Sequence, residues 1–91
     1  MKKLEEIDKL ICEGEVDQAI QALNEMKNSS THTKESIFYL LGNAYRKKGD
    51  LQKALNYYQY AIEESPESPA VSAREQLVSI LNFYDKNMFN Q

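Results

Sequence analysis

The segment 35–68 constrains the fold of this chain more than any other stretch. It consists of two amphipathic runs with helical spacing, separated by a Gly-Asp pair and followed by Pro66. Gly42 lies within the first run, where glycine costs about 1 kcal/mol relative to alanine. We therefore expect Gly42 to permit the close approach of a second helix that carries Ala54 and Ala61 on its inner face. One such hairpin leaves an apolar side uncovered, so it predicts neighbours before and after it.

The order of residues in this segment is similar to the signature of a tetratricopeptide repeat. Counted from Glu35 as the first residue of a unit of about 34 residues, the signature positions hold Phe38, Leu41, Gly42, Tyr45, Ala54, Tyr58, Ala61 and Pro66. Phe38 stands where the family usually has tryptophan. The resemblance implies an all-α fold, a right-handed superhelical stack of antiparallel helix pairs.

An internal repeat precedes this segment. The run Gly14–Ile20 matches Gly49–Leu55 at an offset of 35 residues, which makes residues 1–34 a degenerate first unit. At that offset Ile7 falls on the glycine position of the signature, whereas an offset of 34 moves it onto the preceding leucine. We therefore expect the first helix to be slightly re-registered, which a terminal repeat without a preceding neighbour tolerates.

Hydrophobic periodicity and turn residues predict five helices within a single domain, residues 1–91. The expected helices cover Lys2–Glu13, Val16–Lys27, Lys34–Lys48, Leu51–Glu64 and Pro69 to about Lys86. Thr33 and Asp50 are the expected N-caps of the third and fourth helices. Ser68 followed by Pro69 is a typical helix start.

The fifth helix is predicted to cap the second repeat, with residues 69–91 forming the cap and tail. Its expected buried stripe comprises Ala70, Ala73, Leu77, Ile80, Leu81 and Tyr84. Polar residues occupy the positions that a full repeat would use, namely Ser72, Glu75, Gln76 and Ser79. We therefore do not assign a third repeat.

Charge and composition exclude several classes of protein. The 91 residues carry a formal net charge of −3, which provides no basic footprint for nucleic acid. No segment approaches about 18 uninterrupted apolar residues, so neither a transmembrane helix nor membrane association is expected. The charged N-terminal stretch excludes a signal-peptide core. The single cysteine, Cys12, rules out an internal disulfide and fits a reducing compartment, so we expect the cytoplasm.

No catalytic constellation is visible, so we expect neither enzymatic activity nor a cofactor. His32 is the only histidine and lies in the polar linker 28–33, where a solvated role is expected. Cys12 has acidic neighbours that oppose thiolate formation, and we expect a small apolar filler. The carboxylates near the start favour a solvated face over a metal site. A metal-dependent enzyme would instead be stabilised by divalent ions.

The resemblance implies that the first helix of each pair lines a concave groove. The positions that family members commonly use correspond here to Ser36, Tyr39, Asn43, Arg46 and Lys47. This row offers an aromatic contact, an amide for peptide backbone and two cations for an acidic group. A second explanation of the cations is that they complement the dipole at the helix C-terminus, which contributes about 0.3–1 kcal/mol.

One subclass of the family binds a partner's C-terminal carboxylates with lysines, asparagines and an arginine spread over three repeats. Asn43 and Arg74 fit that scheme, and we add Arg74 to the candidate groove residues. Tyr39 and Ala70, however, stand where the subclass has lysines. We therefore do not assign this carboxylate clamp to the chain.

Two functional hypotheses follow from these patterns. The first is a scaffold or adaptor that binds a peptide segment of another protein in the concave groove. The alternative is a structural domain that dimerises, because Tyr57 and Tyr60 lie off the inner stripe of the fourth helix and are expected to be at least partly exposed. With two repeats and a cap, a dimer would cover leftover apolar surface.

Overall fold

The computed structural model describes residues 3–27 and 33–89, with side chains described as far as Asn82. The helices are α1 (Leu4–Cys12), α2 (Val16–Met26), α3 (Lys34–Lys48), α4 (Leu51–Glu64) and α5 (Ala70–Phe89). The prediction of an all-α stack of five helices is confirmed. The bounds of α3 and α4 agree with the sequence prediction, whereas α1 and α2 are shorter and α5 extends beyond Lys86.

Two equivalent turns close the helix pairs α1–α2 and α3–α4. Gly14 and Gly49 have φ values of 90° and 97°, a left-handed conformation in which other residues are strained. The backbone N–H of Glu15 donates to the carbonyl of Leu10 at 2.8 Å, and that of Asp50 donates to Tyr45 at 2.9 Å. These bonds end α1 and α3 in the same way at an offset of 35 residues. The expected re-registration of the first helix is therefore absent at its C-terminal end.

Side-chain caps begin α3 and α4 as predicted. Thr33 Oγ1 accepts from the Ser36 N–H at 3.3 Å, and Asp50 Oδ1 accepts from the Lys53 N–H at 3.2 Å. Each bond satisfies one of the free donors in the first turn of a helix.

Ser68 connects the start of α5 to the start of α3. Its Oγ accepts from the Ala70 N–H at 3.1 Å and donates to Glu35 Oε2 at 2.8 Å. Ser68 is itself buried, so its bond to Ala70 is shielded from water and its bond to Glu35 is partly shielded. The turn before α5 is thereby fixed against the helix pair that α5 covers.

The core consists of two clusters of buried side chains. The first joins α1, α2 and α3 and contains Ile7, Ile11, Val16, Ala19, Leu23, Met26, Ile37, Leu40, Leu41 and Ala44. The second joins α4 and α5 and contains Ala54, Tyr58, Ala61, Ala70 and Leu77. Phe38, Tyr39 and Tyr45 are half-buried and pack against both clusters. The aromatic side chains of α3 therefore connect the two halves of the core.

Gly42 forms the notch that the sequence predicts, but an aromatic ring fills it. A Cβ at this position would overlap with the Cδ1 and Cε1 atoms of Tyr58. Ala54 and Ala61 are fully buried as expected, yet the atoms nearest to Gly42 belong to the tyrosine. The glycine is required because the Tyr58 ring lies flush against the backbone of α3.

Two sequence expectations about burial are wrong. Ile80 is 40% exposed, because it lies at the edge of the stripe through which α5 packs, whereas Ala70 and Leu77 lie at its centre. Ala73 and Leu81 are half-buried, and the side chain of Tyr84 lies outside the described residues. Cys12 is exposed rather than an apolar filler, because α1 buries its neighbour Ile11 and turns the cysteine outwards.

The outer face of α5 is polar and exposed. All four residues expected there, Ser72, Glu75, Gln76 and Ser79, are exposed. Within the described part of the chain, α5 packs on α4 and no further helix covers it. Its placement agrees with the predicted cap, although the boundaries of the repeat units themselves stay a prediction.

Candidate functional site

Two pockets lie between α1 and α3 and together form a surface that we call the inner groove. The N-terminal pocket, of about 350 Å³, is lined by Leu4, Glu5, Asp8, Glu35, Ser36, Tyr39, Leu40 and Pro69. The C-terminal pocket, of about 380 Å³, is lined by Ile11, Cys12, Asn43, Arg46 and Lys47. Five of the six predicted groove residues therefore line these two pockets, and Arg74 lines neither.

The N-terminal pocket is acidic. Three carboxylates, those of Glu5, Asp8 and Glu35, line it, and no lysine or arginine is among its described lining residues. Ser36 lies in the first turn of α3, where its Oγ accepts from Thr33 Oγ1 at 3.0 Å. This end of the groove has the charge and the hydrogen-bonding groups to receive a cationic side chain.

The C-terminal pocket is basic. Arg46 and Lys47 project from the last turn of α3, and the exposed Cys12 lines the opposite wall. Both cations also complement the partial negative charge at the C-terminus of α3, so the dipole explanation and the groove explanation are compatible. Lys48 is different, because its Nζ donates to Asp17 Oδ1 at 3.0 Å. That bond raises the pKa of Lys48 and directs its side chain to α2.

Asn43 is hydrogen-bonded to the helix beneath the groove. The hydroxyl of Tyr58 donates to Asn43 Oδ1 at 2.6 Å, which leaves the amide N–H₂ group of Asn43 as its available donor. Burial raises the pKa of the Tyr58 phenol, and the nearby Arg46 partly offsets this effect. Tyr58 is therefore a neutral donor at physiological pH, positioned between two groove residues.

Tyr39 is shared between the groove and the core. It lines the N-terminal pocket and packs against both core clusters, with its ring centroid 6.1 Å from that of Tyr58. Because part of the ring is used in packing, only its remaining surface can contact a ligand. The sequence identified Tyr39 as a groove residue but did not indicate this second role.

Arg74 lies on α5, separate from the other five candidates. Its Nε is buried and has no hydrogen-bond partner among the residues that the structure describes. A buried donor of this kind favours a nearby acceptor from water or from a bound partner. The structure thus gives Arg74 an unsatisfied donor but does not bring it to the inner groove.

A third pocket, of about 480 Å³, lies where α2 meets α3 and α4. It is lined by Lys27, Phe38, Tyr57, Tyr60, Glu63 and Glu64, and we call it the aromatic pocket. Tyr57 is half-buried and Tyr60 is 46% exposed, which confirms that both tyrosines are at least partly exposed. Sequence reasoning missed the pocket, because Phe38 was assigned to the core alone.

Neither a metal cluster nor a spanning helix is found in the described ranges. Across residues 3–27 and 33–89, no three side chains of His, Cys, Asp or Glu converge as metal ligands. Over these same ranges, each helix is too short or too polar to cross a bilayer. His32, which was expected to be solvated, lies outside these ranges.

Comparison with known proteins gives one family and one related structure. The family model described as Tetratricopeptide repeat matches residues 36–68. The solution NMR structure of the Bacteroides fragilis protein BF1650 is 52% identical in sequence, with a TM-score of 0.87. The match covers 100% of this chain and 92% of that one. No curated protein matches the chain.

Proposed function

Because the chain belongs to the tetratricopeptide repeat family, whose members generally mediate protein interactions, we propose that it is a non-enzymatic scaffold or adaptor that binds a peptide segment in its inner groove. The observation that carries the proposal is the opposite charge of the groove's two ends. Cytoplasmic placement is part of this proposal, since the exposed thiol of Cys12 remains reduced there.

The groove's charges specify the chemistry of the peptide. Glu5, Asp8 and Glu35 favour a lysine or arginine at one end, and Arg46 with Lys47 favours a carboxylate at the other. These interactions set the register of the peptide more than its affinity. Between the two ends, the amide of Asn43 can donate to a backbone carbonyl of the ligand.

The length of the groove specifies how many residues are needed. Ser36 and Lys47 are eleven helical positions apart, which at about 1.5 Å per residue corresponds to roughly 16 Å. An extended peptide covers this distance with about five residues at roughly 3.3 Å each. A pentapeptide with opposite charges at its ends is therefore the minimal ligand.

The test is a titration with charged pentapeptides, followed by calorimetry or by NMR. We expect peptides with a lysine at one end and a glutamate at the other to bind more tightly than an uncharged pentapeptide. Changing both Arg46 and Lys47 to alanine should weaken binding about fivefold or more at low salt, and the loss should shrink as salt screens the charges.

Lys48→Ala is the matched control, because Lys48 lies in the same helical turn but pairs with Asp17. Asn43→Ala is a poorer test, since it also removes the acceptor of the Tyr58 hydroxyl. If the double variant captures every native partner and binds every peptide as well as the unaltered protein does, the groove proposal is wrong.

Self-association through the aromatic pocket is a second candidate function. The exposure of Tyr60, at 46% of its surface, is the observation that favours it. Sedimentation at high micromolar concentration should then show a dimer that is lost on changing Tyr57 and Tyr60 to serine. A strict monomer under these conditions would exclude this candidate.

A further inference from the structure

Three aromatic rings in mutual contact line the aromatic pocket. The centroid of Phe38 lies 6.1 Å from that of Tyr57 and 5.6 Å from that of Tyr60. Tyr57 and Tyr60 are 5.8 Å apart and almost perpendicular, with an interplanar angle of 86°. At these centroid distances the three rings pack directly against one another, so they form one continuous aromatic surface that lines the pocket.

The electrostatics of this pocket favour a cation. The face of an aromatic ring carries partial negative charge and attracts an ammonium or guanidinium group within about 6 Å. The carboxylates of Glu63 and Glu64 line the same pocket and add full negative charges. An anionic ligand would be repelled by both of these elements, whereas a neutral apolar ligand would pack on the rings but gain nothing from the carboxylates.

The protein already holds one cation at this site. The Nζ of Lys27 lies 5.7 Å from the centroid of the Tyr57 ring, over its face. Lys27 is the C-cap residue of α2, and its flexible side chain allows the ammonium group to leave the ring for water. Lys27 therefore shows that an ammonium group fits against the Tyr57 ring, and it competes with any external cation for that place.

We propose that the aromatic pocket binds a lysine or arginine side chain of a protein partner, which displaces the ammonium group of Lys27. The arginine guanidinium fits best, since its plane can stack on one ring while its N–H groups donate to Glu63 or Glu64. This site lies apart from the inner groove, because the two share no lining residue. It stands whether or not the groove binds a peptide.

The test uses a short neutral peptide with one central arginine, Ac-Gly-Arg-Gly-NH₂, and its glutamine counterpart. Binding is followed through the ring protons of Tyr57 and Tyr60 in NMR spectra. We expect only the arginine peptide to shift these signals in a saturable manner. Equal responses to both peptides would overturn the proposal.

Three variants sharpen this test. Lys27→Met removes the internal cation and keeps most of the apolar stem, so it should strengthen arginine binding about two- to fivefold. Tyr60→Leu should weaken it by a similar factor, whereas Tyr60→Phe keeps the ring and should not. Unchanged affinity in both Lys27→Met and Tyr60→Leu would overturn the proposal.

The inner groove provides the remaining control, because its acidic pocket could also receive an arginine. Changing Glu5 to Gln together with Asp8 to Asn should leave the shifts of Tyr57 and Tyr60 unaffected. If this change abolishes the response instead, the arginine binds in the groove and the proposal is wrong. A Tyr60-dependent dimer that shows no response to the arginine peptide would equally overturn it, in favour of self-association.

Discussion

The two helix pairs fill the same place in their packing with different side chains. In the pair α3–α4, Gly42 receives the ring of Tyr58. At the positions 35 residues earlier, in α1–α2, stand Ile7 and Leu23, both fully buried. One pair combines the smallest residue with a large aromatic, and the other combines two aliphatic residues of middle size. Similar helix packing is thus achieved by two distributions of volume.

The two pairs also differ in how specifically the packing of their helices is determined. Tyr58 carries a hydroxyl that must find a partner when it is buried, and it donates to Asn43 at 2.6 Å. The residue 35 positions before Asn43 is Asp8, which is exposed. The second pair is therefore held in one arrangement by a directional bond, whereas the first depends on apolar burial. The repeat model matches residues 36–68, the pair that carries Gly42 and Tyr58 at signature positions.

The largest expected effect comes from deleting the ring that fills the notch. Tyr58→Ala leaves a cavity between α3 and α4 and should reduce the free energy of unfolding by about 3–5 kcal/mol. Urea denaturation followed by circular dichroism measures this loss. Tyr60→Ala is the control on the same helix, and a comparable loss there would show that the notch is not special.

Changing the side-chain volumes at the notch tests the comparison between the two helix pairs directly. Gly42→Ala gains about 1 kcal/mol of helix propensity. Its Cβ, however, overlaps with the Tyr58 ring. This overpacking should cost about 1–3 kcal/mol, which equals or exceeds the gain. We therefore expect net destabilisation in thermal denaturation.

The double variant Gly42→Ala with Tyr58→Leu copies the balanced volumes of the first pair. It should be more stable than the sum of its two single variants implies. If the two changes are simply additive, Gly42 and Tyr58 are not coupled and the proposed exchange of volumes is incorrect.

Removing only the hydroxyl of Tyr58 separates the effect of its hydrogen bond from the effect of its ring volume. Tyr58→Phe keeps the ring but deprives Asn43 of its donor, and should cost about 1 kcal/mol. Chemical denaturation measures this loss, and Tyr60→Phe serves as the control. A stability equal to that of the unaltered protein would mean that water replaces the bond without loss.

The same hydroxyl predicts a dependence on pH. The pKa of Tyr58 is raised by burial in the folded protein, so the unfolded chain loses this proton at lower pH than the folded one. Its contribution to stability is complete below about pH 10, the ordinary tyrosine value. It then declines as the pH rises through the folded pKa. Denaturation midpoints between pH 8 and pH 11 should show this decline, and Tyr58→Phe should reduce it.

The smallest effect is expected where the two pairs meet through exposed charges. Lys48 and Asp17 form an ion pair between the end of α3 and the start of α2, with 51% and 84% of their side chains exposed. Water and salt screen such a pair. Asp17→Asn should therefore leave the urea midpoint almost unchanged, and any difference should disappear at high salt. A large shift would show that the ion pair sets the angle between the pairs.

Local chemistry explains which parts of the fold could be predicted. The bounds of α3 and α4 follow from periodicity, from the caps at Thr33 and Asp50 and from the turn at Gly49, all of which act within a few residues. The exposure of Ile80 could not be predicted in this way. It depends on how far a neighbouring helix covers the edge of α5, which is a property of the assembled stack.

The candidate sites show the same limit. The family spacing identified the row of groove residues on α3, because that row is a property of one helix. The bond from Tyr58 to Asn43 and the position of Lys27 over Tyr57 join different helices. Both depend on distances between helices that a periodic pattern does not contain. Phe38 was missed as a pocket residue since a signature position can serve the core and a surface together.

The polar outer face of α5 also determines how long this stack can grow. A further helix would have to bury Ser72, Glu75, Gln76 and Ser79, and that desolvation opposes elongation. Apolar signature residues at these four positions would convert the cap into a template for docking. Copies of the protein could then join end to end into an open fibre. The four hydrophilic side chains therefore oppose this mode of association.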